Sequence, residues 1–283
     1  QEYPNGKHDR GAGVMSISSD DIVTMGKSNP SYQGAMNSDK TIIAGTSTWD
    51  RPGATADMSV MTKKGSSYSL SDLQGTWEVS TLASGPLAPY WERGPITFAD
   101  AGGGYSGTLE TSAGGSKPVS GKFSIRSDGI MQRVPADTAS CGMDANKTIV
   151  ACTETRTDGG SDSTVLSVWT RKGDSYSSDD LTGLWEVNSM ASGPGAPWWQ
   201  RGTLTILPGG TFSATYQQSD GTPVDVSGTI GIDDDIVQMD TGTDLNMLCT
   251  MDSSKTVTVC TATWALGNTA GTTSLTISVK KGQ

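Results

Sequence analysis

The chain repeats itself at a long period, and this restricts its fold more than any other property. Gly75-Thr-Trp-Glu-Val79 returns as Gly183-Leu-Trp-Glu-Val187, with Trp77 and Trp185 108 positions apart. Ala83-Ser-Gly-Pro-Leu-Ala-Pro-Tyr-Trp-Glu-Arg-Gly94 returns as Ala191-Ser-Gly-Pro-Gly-Ala-Pro-Trp-Trp-Gln-Arg-Gly202. A third motif occurs three times, as Met36-Asn-Ser-Asp-Lys-Thr41, Met143-Asp-Ala-Asn-Lys-Thr148 and Met251-Asp-Ser-Ser-Lys-Thr256. A period of this length is a small domain, not one turn of a solenoid.

Within a unit, apolar residues alternate with polar ones in short runs, as in Pro95-Ile-Thr-Phe98 and Thr203-Leu-Thr-Ile-Leu207. Gly-rich turns such as Ala101-Gly-Gly-Gly104 and Pro208-Gly-Gly210 separate them. Period-two runs broken every 8–12 residues predict an all-β fold of about eight antiparallel strands per unit, a barrel or sandwich. The hydrophobic share of 34 % suits small domains with thin cores, and eight Trp with regular alternation exclude a disordered chain. Residues 66–173 and 174–283 read as full units. Residues 1–65 match only the second half of one: Gly13-Val-Met-Ser-Ile-Ser18 aligns with Gly121-Lys-Phe-Ser-Ile-Arg126, and the Trp-Glu-Val half is missing. Half a barrel exposes an apolar face and open edges, so this segment is expected to be a fragment of a unit or to be completed by another molecule. Ser71 or Asp72, and Asp179 or Asp180, are expected to cap a short helical turn ahead of each full unit.

Four Cys occur, in two pairs each 11 apart: Cys141 with Cys152 and Cys249 with Cys260. Each pair brackets a Met-Asp-x-x-Lys-Thr turn, so folding about that turn sets the two Cys opposite each other, within disulfide reach. A zinc site would need a CxxC or a partner His, and His8 is the only histidine. Two disulfides imply an oxidising setting, extracellular or at the cell surface. The first copy has Gly34 and Gly45 in these places. A net charge of −10 argues against nucleic-acid partners, and no apolar run is long enough for a membrane span.

Eight strands opening on Gly-x-Trp resemble the calycin group of lipocalin-like barrels, on Gly75, Trp77, Gly183 and Trp185. The resemblance implies that Trp77 and Trp185 close one barrel end, often under an Arg, with Arg93 and Arg201, or Arg171, as partners. The fuller pattern Asp-Leu-x-Gly-x-Trp-Glu-Val…Ala-Ser-Gly-Pro-x-Ala-Pro-x-Trp-x-Arg-Gly is similar to tandem repeats of secreted or surface proteins of environmental bacteria.

Catalytic residues are not expected. A Ser-His or Cys-His mechanism lacks its base. Glu78 and Glu186 occupy equivalent places, but Glu92 becomes Gln200, which does not preserve a two-carboxylate glycosidase pair. Asp233-Asp-Asp235 and Asp158…Asp162 do not fit calcium-loop spacings and read as turn aspartates. Neither metal nor cofactor is expected. The pairs Tyr90-Trp91 and Trp198-Trp199, each followed by Arg93 or Arg201, are the candidate contact loops. Alternation allows only one ring of each pair to face inward, leaving the other for a sugar or a partner. The expected role is a structural protein of tandem barrels that self-associates, forming fibres through the half unit. The alternative is a module binding carbohydrate or a small apolar ligand at these loops or in a barrel interior, which at eight strands holds one small ligand.

Overall fold

Alternating strands short of helix formers have one way to pair every backbone group without leaving edges, and that is closure. A computed structural model describes residues 14–26, 32–49, 55–85, 89–158, 161–242, 246–264 and 270–282. It contains two closed antiparallel eight-stranded barrels and one open five-stranded sheet. The open sheet runs β1 (Met15–Ile17), β2 (Ile22–Met25), β3 (Tyr32–Met36), β4 (Ile42–Trp49) and β5 (Thr55–Thr62), in that spatial order. Barrel one comprises β6 (Gly75–Ser84), β7 (Tyr90–Phe98), β8 (Gly104–Thr111), β9 (Ser116–Ile125), β10 (Ile130–Arg133), β11 (Ser140–Met143), β12 (Ile149–Asp158) and β13 (Ser161–Arg171). Barrel two comprises β14 (Gly183–Ser192), β15 (Trp198–Ile206), β16 (Thr211–Gln218), β17 (Pro223–Asp233), β18 (Ile236–Asp240), β19 (Asn246–Met251), β20 (Val257–Thr263) and β21 (Thr273–Lys280). In each barrel every strand pairs with its chain neighbours and the last closes on the first, β13 on β6 and β21 on β14.

The thrice-repeated hairpin motif has a local cause. Asp144 Oδ1 accepts the backbone N–H groups of Thr148 and Ile149 at 2.8 and 2.9 Å. Asn37 and Asp252 do the same for Thr41 and Ile42, and for Thr256 and Val257. Lys40, Lys147 and Lys255 hold the left-handed conformation that closes each turn, with φ near 60°. Beyond the turn, Cys141 faces Cys152 and Cys249 faces Cys260, and both pairs are bonded.

In the open sheet the facing pair is Gly34 and Gly45, and the buried Tyr32 ring lies over them in place of a disulfide. A Cβ on Gly34 would sit 2.6 Å from Tyr32 Oη. Gly45→Ala, whose Cβ meets the same ring and the Gly34 backbone, is expected to cost about 1–3 kcal/mol by overpacking. Thermal denaturation checks this, and an unchanged midpoint would contradict it.

A short helical turn precedes each barrel, Leu70–Leu73 as 3₁₀ and α1 (Ser178–Leu181). The capping residues are Ser69 and Ser177, not the expected Ser71, Asp72, Asp179 or Asp180. Asp72 and Asp180 instead sit three residues on and accept the cap backbone N–H, each at 2.8 Å, which is the other half of a capping box.

The outward faces of the three units meet in a shared apolar core. Equivalent residues converge there in sets of three: Ile42, Ile149 and Val257, and likewise Met58, Leu166 and Leu275. The outer face of the open sheet is therefore covered by the barrels, contrary to the expectation of a bare half barrel. Its concave face remains partly open, with Met15 and Ile17 exposed beside buried Val23 and Tyr32.

Candidate functional site

The two barrels share a strand plan and differ in what fills them. In barrel one, Phe98, Tyr105, Phe123 and Trp169 stack in sequence, with ring centroids 5.6, 5.5 and 5.3 Å apart. Strand register places Ile206, Phe212, Ile230 and Ser278 at the same positions in barrel two. Two Phe become Ile and a Trp becomes Ser. Barrel two consequently encloses a cavity of about 520 Å³.

One end of each barrel is shut in the same way. Trp77 Nε1 donates to the Leu73 carbonyl at 2.8 Å, and Trp185 Nε1 to that of Leu181 at 2.7 Å. The Arg171 guanidinium lies over Trp77 at 5.0 Å and donates to the Gln74 carbonyl at 2.9 Å. Lys280 covers Trp185 at 5.5 Å. Arg171 thus occupies the place that the calycin resemblance assigns to an Arg, and Arg93 and Arg201 do not.

At the other end the barrels diverge. Barrel one is closed by charge. Buried Glu92 pairs with Lys117 and, at 3.0 Å, with Arg156; Glu154 pairs with Arg156 and, at 3.0 Å, with Arg133. Burial alone would raise the Glu92 carboxyl, but Lys117 and Arg156 overcome it and hold the group below the usual glutamate range. A carboxylate whose folded pKa is depressed stabilises the fold above its unfolded pKa, and that contribution is lost as pH falls through the folded value. Barrel one should therefore lose stability on acidification below the ordinary glutamate range. Glu92→Gln should flatten this slope, as read by urea unfolding at several pH values, and an unaltered slope would count against the network.

Barrel two replaces every one of these charges. Gln200 stands for Glu92, Val224 for Lys117, Met239 for Arg133, Ala262 for Glu154 and Trp264 for Arg156. Trp264 packs edge-on against Trp198 at 5.4 Å. Its buried indole N–H has no hydrogen-bond partner among the described residues. The cavity wall is largely apolar, from Val187, Leu204, Ile206, Val226 and Ile230, with polar points at Gln200, Gln218, Tyr216, Thr258 and Ser278. Burial raises the Tyr216 hydroxyl well above its ordinary pKa, so it is a neutral donor at any physiological pH. Among the described residues no Lys or Arg lines the wall, and Asp225 is the one acidic residue there.

The expected contact residues separate into two groups. Trp91 and Trp199 are buried between units and are not free for an outside partner. Trp91 Nε1 of barrel one donates to Thr263 Oγ1 of barrel two at 2.7 Å, and Trp199 Nε1 of barrel two to Thr48 Oγ1 of the open sheet, also at 2.7 Å. Arg93 and Arg201 lie over these rings at 4.5 and 4.2 Å. The repeated Trp-x-Arg is a clasp between units. Tyr90 and Trp198 face the barrel mouths, Tyr90 accepting from Arg156 at 3.0 Å. Residues 86–88 and His8 lie outside the described residues.

Glu78 and Glu186 flank inward-facing Trp and Val residues in their strands and so point away from both interiors. Burial raises both carboxyls; Lys172 offsets this at Glu78 and Lys281 at Glu186. Asp235 pairs with Lys172 at 3.1 Å. Among the described residues no group of three or more His, Cys, Asp or Glu converges as a metal site, and no helix is long and apolar enough to cross a membrane.

No family model matches the chain, and no curated protein matches it. Among solved structures, a protein of unknown function from the DUF3598 family of Nostoc punctiforme is 13 % identical, with 76 % of this chain and 97 % of that one covered and a TM-score of 0.27. Transferrin binding protein B of Neisseria meningitidis is 10 % identical, with 100 % and 62 % covered and a TM-score of 0.33. Its counterpart from Haemophilus parasuis is 9 % identical, with 92 % and 54 % covered and a TM-score of 0.35. The chain thus spans less than two thirds of either transferrin binding protein. The strand pairing of the two closed eight-stranded barrels fits the calycin architecture.

Proposed function

We propose that the chain is a small-ligand-binding protein and that the interior of barrel two is its site. One observation carries the reading: two barrels of the same plan lie in one chain, one packed with aromatic rings and sealed by ion pairs, the other hollow and with neutral residues at the positions of those ion pairs. A void of about 520 Å³ lies within the usual range of ligand pockets. Leaving a cavity empty costs stability, so hollowing one copy and not the other requires an occupant to explain it. The wall chemistry specifies that occupant. It carries no negative charge, because among the described residues no cation lines the wall to meet an anion. It is mostly apolar, and it carries an acceptor, such as a carbonyl or ether oxygen, for the Trp264 N–H or the Tyr216 hydroxyl. Barrel one and the open sheet serve as scaffold.

Two disulfides support an extracellular or cell-surface setting. Fibre formation through the half unit has less to drive it than the sequence suggests, because the outer face of that sheet is already covered.

Titration with the neutral fluorophore N-phenyl-1-naphthylamine tests the proposal. One saturable site per chain, competed by other uncharged apolar molecules, is the expected result. A strictly linear, non-saturating response would refute it.

A further inference from the structure

The three units contact one another in a repeating order. Lys172 at the end of barrel one pairs with Asp235 in a turn of barrel two at 3.1 Å, and Lys64 at the end of the open sheet pairs with Asp128 in the matching turn of barrel one at 3.4 Å. The clasp follows the same rule. Trp91 of barrel one grips Thr263 of barrel two, and Trp199 of barrel two grips Thr48 of the open sheet. The next step would set a Trp belonging to the open sheet's own unit on Thr155 of barrel one, the residue equivalent to Thr263 and Thr48.

That place is bare. Thr153 and Thr164 of barrel one are exposed and Leu166 is half-buried. Their counterparts in barrel two, Thr261, Thr273 and Leu275, are buried. The open sheet has two unpaired edges among the described residues. Among the described residues, β5 pairs only with β4 and β1 only with β2, whereas β13 and β21, the counterparts of β5, each pair with the first strand of their unit.

We propose that the concave face of the open sheet and the β12–β13 face of barrel one together form a docking site for a first-half segment of this same repeat. Its chemistry is fixed by the two interfaces already present: three antiparallel strands, the first bearing Gly-x-Trp-Glu-Val and the second bearing Trp-x-Arg. The first strand pairs with β5, the third extends toward β1, and the Trp-x-Arg lies across Thr153 and Thr155. The result is a third closed barrel and a ring of three about a pseudo-threefold axis. A second copy of this chain has no spare first half to offer, since both of its own are closed into barrels. The inference does not depend on ligand binding by barrel two.

The test adds a separately synthesised polypeptide of residues 66–111 to the full chain and follows amide hydrogen exchange, and repeats the measurement with that segment fused ahead of residue 1. The expected result is one-to-one association with exchange slowed at least about tenfold at alternate amides of β5. The protection should be lost when the segment carries Trp91→Ala with Arg93→Ala, or when the full chain carries Thr153→Arg, a change at an exposed position. Unaltered exchange at β5 in both formats overturns the proposal. So does protection that ignores these substitutions. Protection of β5 that rises with concentration of the full chain alone would assign the site to a second copy and overturn it equally.

Discussion

Ser278→Trp should abolish binding of a neutral apolar probe to the chain, weakening it by at least about 100-fold, while leaving barrel two folded. Ser278 occupies the position that Trp169 holds in barrel one, opposite the first strand, where Trp169 faces Val79 and Ser278 faces Val187. An indole there enters a space whose other walls have already shrunk from Phe98 and Phe123 to Ile206 and Ile230. It therefore fills void and does not overpack, and stability should hold or rise. The reverse change, Trp169→Ser, should cost barrel one several kcal/mol, about the range for emptying an aromatic core position. Probe titration and thermal denaturation of both variants check this. Undiminished binding by a folded Ser278→Trp chain would remove the cavity as the site.

Trp199→Ala should be the most damaging single change outside the barrel interiors, at about 3–5 kcal/mol. The ring is buried between barrel two and the open sheet, donates to Thr48 and supports the Arg201 guanidinium. Among the described residues the open sheet has no barrel closure of its own, so its stability rests on its contacts with the barrels, chiefly the shared apolar core and this clasp. Its loss should release β1–β5 first, giving a separate early transition and fast exchange at β4 amides, with both disulfide-bearing barrels intact. A single cooperative transition with an unchanged midpoint would show that the clasp contributes nothing.

Much of this was legible in the sequence, for reasons tied to particular residues. Strand positions followed from period-two alternation, and the disulfides followed from equal spacing about a turn whose Asx side chain and left-handed Lys are local features. The clasp was not legible. One ring of each pair, Tyr90-Trp91 and Trp198-Trp199, reads as free for contact, because alternation tells which face a side chain takes but not what covers that face. The Thr partners of Trp91 and Trp199 lie 172 and 151 positions away. The cavity was hidden by the same limit. Phe98 against Ile206 and Trp169 against Ser278 each read as ordinary variation between repeats, and only strand register brings the four positions to one layer. The signal was present in the loss of Glu92, Glu154, Arg133 and Arg156 together, since an ion-pair network lost as a set marks one place in space.

Methionine methyl resonances test the central claim most directly. Met239 and Met247 line the cavity of barrel two, while Met131 and Met143 lie in the packed core of barrel one. On titrating N-phenyl-1-naphthylamine into the folded chain, the resonances of Met239 and Met247 should shift to saturation at one equivalent, with Met131 and Met143 unmoved. Shifts confined to Met15 and Met25 of the open sheet, or no saturable shift at Met239 and Met247, would contradict it.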